Sequence, residues 1–120
     1  MNVVTSPKAA AYIRERGGAV WVWLDPHRGI VGSHTWLEAH TEPPGTSRKT
    51  RFTRSSRRPH RFRTVEADGI AVHFDWGRLN PPEELQLDLR GLVNKRLEAY
   101  WDGNWFVDDA PPSFGDDPAP

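Results

Sequence analysis

The clearest alternation along the chain is Leu85, Gln86, Leu87, Asp88, Leu89, with leucines on one side and polar groups on the other. Successive side chains of a strand point to opposite faces, so this segment predicts a half-buried strand with its leucines in the core. Ala19 to Leu24 (AVWVWL) is apolar on both faces, with Val20, Val22 and Leu24 on one and Trp21 and Trp23 on the other. That pattern predicts a central strand covered on both sides. Upstream, Thr5 or Ser6 can cap a helix whose first position is Pro7, where a missing N–H costs nothing, and Gly17 and Gly18 follow Arg16 as a stop signal. The helix is expected over 7–16. Its apolar side, Ala9, Ala10 and Ile13 with Tyr12 at the margin, is thin, so it must lean on a sheet.

The remaining punctuation sets the order of elements. Asp25 to Ser33 (DPHRGIVGS) holds a proline and two glycines and reads as a loop, Thr35 to His40 as a second strand, and Glu42 to Ser47 as a turn. Phe62 to Glu66 and Ile70 to Phe74 flank Ala67, Asp68 and Gly69, the composition of a tight hairpin. Leu97 to Trp101 and Trp105 to Val107 supply a last pair of short strands around Asp102, Gly103 and Asn104. From Asp108 onward there are four prolines, four aspartates and only Phe114 as a large apolar residue, which predicts a disordered tail. The predicted fold is α+β: one N-terminal helix packed on a mostly antiparallel or mixed sheet able to close partly on itself. A single domain spans 1–107, followed by the acidic, proline-rich tail 108–120.

Composition narrows the chemistry. A chain of 120 residues can bury enough surface to fold alone. It has no cysteine, which excludes disulfides, thiolate-bound zinc, thiolate-bound iron-sulfur clusters and cysteine nucleophiles together. Met1 to Arg16 has no apolar run resembling a signal peptide, and no later segment approaches the ~20 apolar residues of a spanning helix. A cytoplasmic protein without membrane attachment is expected. Sixteen basic and sixteen acidic residues balance, yet eight of the cations fall between Arg48 and Arg63 and four aspartates in the tail. The charge is blocked along the chain.

The segment RKTRFTRSSRRPHRFR carries Arg48, Lys49, Arg51, Arg54, Arg57, Arg58, Arg61 and Arg63, interleaved with Phe52, His60 and Phe62 and with no acid. Cations with stacking rings suit a phosphate backbone and unstacked bases, so nucleic acid or another polyanion is one reading. A solvated loop or edge strand whose arginines block sheet-to-sheet pairing is the other. The acidic tail offers a further expectation, that it folds back over this segment and competes with an anionic partner. The five histidines, His27, His34, His40, His60 and His73, have no spacing of a metal signature, and no metal or other cofactor is expected. No serine lies in a nucleophile-elbow context and no carboxylate pair shares a site, so no catalytic residue is assigned and the chain is read as a non-enzyme. The six tryptophans read as core rings of a domain without cysteine, or as an aromatic face for a partner protein.

With these elements in place, the VTSPKAAAYI opening, the VWVWL strand, ADGIAVHF (Ala67 to Phe74), ELQLDL (Glu84 to Leu89) and LEAYWDGNW (Leu97 to Trp105) resemble the HesB-like domain of A-type iron-sulfur cluster carriers. The resemblance covers Val3 to about Val107 and implies the fold. The family's cluster ligands are cysteines in the loop after the first strand and near the C-terminus. This chain offers His27, Arg28 and Gly29 in that loop, and Trp101, Asn104 and Trp105 around the terminal turn, with no thiol. The resemblance therefore implies a binding or interaction module without cluster ligands, whose former ligand site is a surface for an unknown protein partner. Polyanion binding through 48–63 is the alternative.

Overall fold

The computed structural model describes residues 1–29, 32–45, 61–77, 79–104 and 106–107. Its elements, in chain order, are β1 (Asn2–Thr5), α1 (Pro7–Glu15), β2 (Ala19–Gly29), β3 (Gly32–His40), β4 (Arg63–Ala67), β5 (Ile70–Asp75), β6 (Glu84–Arg90), β7 (Arg96–Trp101) and β8 (Phe106–Val107). The described residues are mostly sheet with one short helix.

Local chemistry places both ends of α1. The Ser6 side chain accepts a bond from the Ala9 N–H at 3.1 Å, closing the first turn, while Pro7 occupies the position where no N–H is needed. The same hydroxyl donates to Asp88 Oδ1 at 2.8 Å, which ties the helix start to β6. At the other end Gly17 and Gly18 have φ of 114° and 82°, and the Gly18 N–H returns to the Ile13 carbonyl at 2.9 Å. That left-handed exit satisfies carbonyls that a straight helix would leave open. Ala9, Ala10 and Ile13 are buried, chiefly against β6.

The strands form two mixed sheets, neither closed. One has the order β1-β6-β7, with β1 parallel and β7 antiparallel to β6; the other has the order β4-β5-β2-β3-β8, in which only β2 and β5 run parallel. The core lies between α1 and the inner faces of the sheets. Val20 and Val22 of β2, Ile70 and Val72 of β5, and Leu85 and Leu87 of β6 are essentially inaccessible to water. The β4–β5 turn is the Asp-Gly hairpin the sequence predicts, with φ of 52° at Asp68 and 74° at Gly69.

Three expectations need correction or extension. Of the loop expected over Asp25–Ser33, residues 25–29 and 32–33 instead extend two strands: the ladder that begins at Trp21↔His40 continues through Pro26↔Thr35 to Gly29↔Gly32. Pro26 is accommodated because β5 leaves β2 after Trp23↔Asp75, so from there β2 is an edge strand where a missing donor breaks no ladder. His27, Arg28 and Gly29 consequently belong to a two-stranded ribbon and not to a loop. The strands flanking Asp102–Asn104 do not pair with each other; apart from a bridge between Trp101 and Asn104, β7 stays with β6 while β8 joins β3. β1 was not foreseen, because four residues of modest apolarity gain their strand only from β6 alongside. The tail 108–120 and its expected disorder lie outside the described residues, as do 46–60. Among the described residues, no helix is long and apolar enough to cross a membrane.

Because Leu87 is 1% exposed and sits under α1, Leu87→Ala is expected to cost about 2–5 kcal/mol, read as a lower urea midpoint with an unchanged slope. Ser6→Ala removes both the helix cap and the Asp88 contact and is expected to cost about 1–2 kcal/mol in the same assay.

Candidate functional site

Strand alternation sorts the side chains of β3 and β7. Ala39 of β3 and Leu97 and Ala99 of β7 face the core, which leaves Glu38 and His40 on one strand and Arg96, Glu98 and Tyr100 on the other turned the opposite way. The register of β6 with β7 sets Asp88 beside Glu98 and Arg90 beside Arg96. Between β3, the β6–β7 hairpin and the end of α1 lies an open groove of about 1250 Å³, to which Tyr12, Arg16, Trp36 and Glu42 also contribute.

Glu98 is the hub of one wall. Its Oε1 accepts from the Tyr100 hydroxyl at 2.7 Å and from Arg90 Nε at 3.1 Å, and its Oε2 accepts from Arg96 at 3.3 Å. Burial alone would push the Glu98 carboxyl up, but the Tyr100 hydroxyl and the two guanidiniums outweigh it and hold the group below the ordinary glutamate value. Asp88, behind it, is also lowered, first by the Leu89 N–H and then by Ser6. On the opposite wall His40 Nε2 lies 2.9 Å from Glu38 Oε1, and its ring stacks on Trp23 with centroids 5.2 Å apart. Trp23 is fully buried, with Phe62 edge-on at 6.5 Å. A matching pair sits across the sheet, where His73 stacks on Trp21 at 4.8 Å and its Nδ1 lies 2.7 Å from Thr64 Oγ1.

The residues singled out from the sequence fall in several places. Trp101 packs edge-on against buried Trp76 at 5.0 Å, and Asn104 exchanges backbone bonds with Trp101 around Asp102 and Gly103. His27, Arg28 and Gly29 lie at the far end of the β2–β3 ribbon, opposite His34, Ser33 and Gly32, and Trp105 lies outside the described residues. Of the basic segment, Arg48, Lys49, Arg51, Phe52, Arg54, Arg57 and Arg58 lie outside the described residues too. Arg61 and Arg63 are exposed at β4, the edge of the larger sheet, and the Arg61 N–H donates to Asp75 at 3.2 Å. Among the described residues no three His, Asp or Glu side chains converge as a metal site. The groove itself was missed. Its signals were the outward Arg96, Glu98 and Tyr100 of RLEAYW and the cations flanking Leu92 and Val93.

This arrangement defines a small two-sheet domain with one helix and a polar, internally braced groove. The chain belongs to the CC/Se motif containing family, whose model matches residues 1–101. The matched family is named for a CC/Se motif and not for the HesB-like domain, and this member has no cysteine. No curated protein matches the chain. Among solved structures, Escherichia coli SufA, described as involved in biosynthesis of iron-sulfur clusters, aligns over 95% of this chain and 92% of its own. The identity is 20% and the TM-score 0.46, a likeness too loose to carry weight.

Because the folded Glu98 carboxyl is depressed, the stability it contributes is fully present above the ordinary glutamate pKa of about 4.3 and is lost as pH falls through the lowered value. Glu98→Gln is therefore expected to lower the thermal midpoint at neutral pH, with the difference from the parent chain shrinking to nothing at the acid end of a pH series of melts.

Proposed function

We propose that this chain is a non-enzymatic binding or interaction module with a HesB-like, iron-sulfur-biogenesis-type fold and no thiolate ligands of its own. The groove carries the reading. Acid-base catalysis at neutral pH calls for a carboxyl pushed up toward neutrality, whereas Glu98 is held down and locked as the charge partner of Arg90 and Arg96. Side chains that already hold one another lose little freedom when a partner arrives, which suits recognition. The HesB-like reading is supported by the stretches of sequence quoted above, and the lack of thiolate ligands by a sequence without cysteine.

A photo-crosslinking side chain replacing exposed Arg96 in the groove wall is expected to give a discrete adduct with a partner protein, and the same group replacing exposed Glu66 on β4 is expected to give none. Equal labelling from both positions overturns the proposal. So does turnover of ester, phosphoester or peptide substrates that Glu98→Gln abolishes, or a chain-bound cluster after anaerobic reconstitution with iron and sulfide.

A second reading is polyanion binding through 48–63, favoured by the exposure of Arg63 at the start of an edge strand and of Arg61 just before it. It predicts oligonucleotide binding with a steep negative salt slope, weakened when Arg61 and Arg63 become glutamine, measured by fluorescence anisotropy. Flat titrations at low salt remove it.

A further inference from the structure

The β6–β7 hairpin presents an arrangement that the domain's own packing does not require. Leu92 is 95% exposed and Val93 90%, more than any other large apolar side chain among the described residues. The turn that carries them is tightly built: Gly91 has φ of 95°, and a Cβ there would collide with the Asn94 carbonyl. Only glycine holds this geometry without displacing backbone. Arg90, Lys95 and Arg96 flank the two aliphatic side chains along the chain, and residues 90–97 contain no acid. Glu98 engages Arg90 and Arg96 from below, while Lys95 makes no ion pair among the described residues. An apolar tip flanked by cations thus borders the groove, and Val93, Lys95 and Arg96 belong to its lining.

We propose that this tip is the docking point for an acidic segment of a partner protein, one that places a bulky apolar side chain against Leu92 and Val93 and carboxylates against Lys95 and its neighbouring arginines. Charge complementarity selects the sign of the partner, and the apolar pair selects against a purely acidic tract. A flat anionic membrane fits less well, because the tip runs into a concave groove that a bilayer cannot enter and two aliphatic side chains are a small anchor. The inference rests on the interaction-module reading and adds the partner's chemistry to it.

The test is selection of a random peptide library on the full chain, followed by titration of the enriched peptides against variants. Enriched sequences are expected to combine Asp or Glu with Phe, Leu or Trp. Their binding should weaken about tenfold or more in Leu92→Ser/Val93→Ser and in Lys95→Glu, and fall with added salt. Because these side chains are exposed, the variants should keep the parent melting curve, and a variant that does not is replaced by Leu92→Gln. Peptides that bind the groove but lack acids, or that ignore all three variants, overturn the inference and leave the module reading standing. An empty selection overturns both. Two other outcomes overturn the inference alone: anionic vesicles bound through Leu92 and Val93 while the peptides are not, and dimerisation of the chain lost in the same variants.

Discussion

The inward row of leucines on β6 is the constraint on which the other elements depend. Leu85, Leu87 and Leu89 are covered by α1 and the facing apolar side chains, and the strand that carries them has β1 on one edge and β7 on the other. Burying three leucines is worth several kcal/mol, on the order of 2 for each, and it can be realised only if α1 lies across this strand. The Ser6 hydroxyl fixes that crossing, because one oxygen both caps the helix and bonds Asp88 on the outward side of β6. The inward side of the strand therefore holds the helix, while its outward side, through Arg90, lines the groove.

The larger sheet resolves a different tension. Trp21 and Trp23 face away from the helix, and leaving two indoles in water would forfeit much of what a small domain can bury. Trp23 is covered by His40 from the neighbouring strand and by Phe62 from the entry to β4, and Trp21 by His73. The imidazoles act as flat covers with a polar edge still directed to Glu38 or Thr64. This accounts for two of the histidines without any ligand.

Family membership and the absence of cysteine bear on each other. A family named for a CC/Se motif here includes a chain with no thiol, and the most exposed large apolar side chains among its described residues, Leu92 and Val93, lie next to cations at the β6–β7 turn. Chemistry at sulfur is closed to this chain. Recognition by complementary charge and buried apolar area requires no thiol.

Elements whose signal is local were legible from the chain alone. The helix with a cap at Thr5 or Ser6 and a glycine exit, the two-faced strand at Ala19–Leu24, the Asp-Gly hairpin and the leucine alternation each depend on residues within a turn or a strand of one another. Pairing that depends on distant residues was not. Pro26 and the two glycines of DPHRGIVGS speak for a loop, and only the ladder already running between Trp21 and His40 draws Pro26, Gly29 and Gly32 into a ribbon. β8 likewise leaves β7 for β3 because of where the second sheet lies. The groove belongs to the same class: Glu38 and Glu98 are sixty positions apart, and alternation shows that each faces outward but not that both border one groove. Local pattern is enough to show which side of each element is apolar. Which polar sides meet depends on how the sheets cross, and that is set by the packing of the whole core and carried by no single segment.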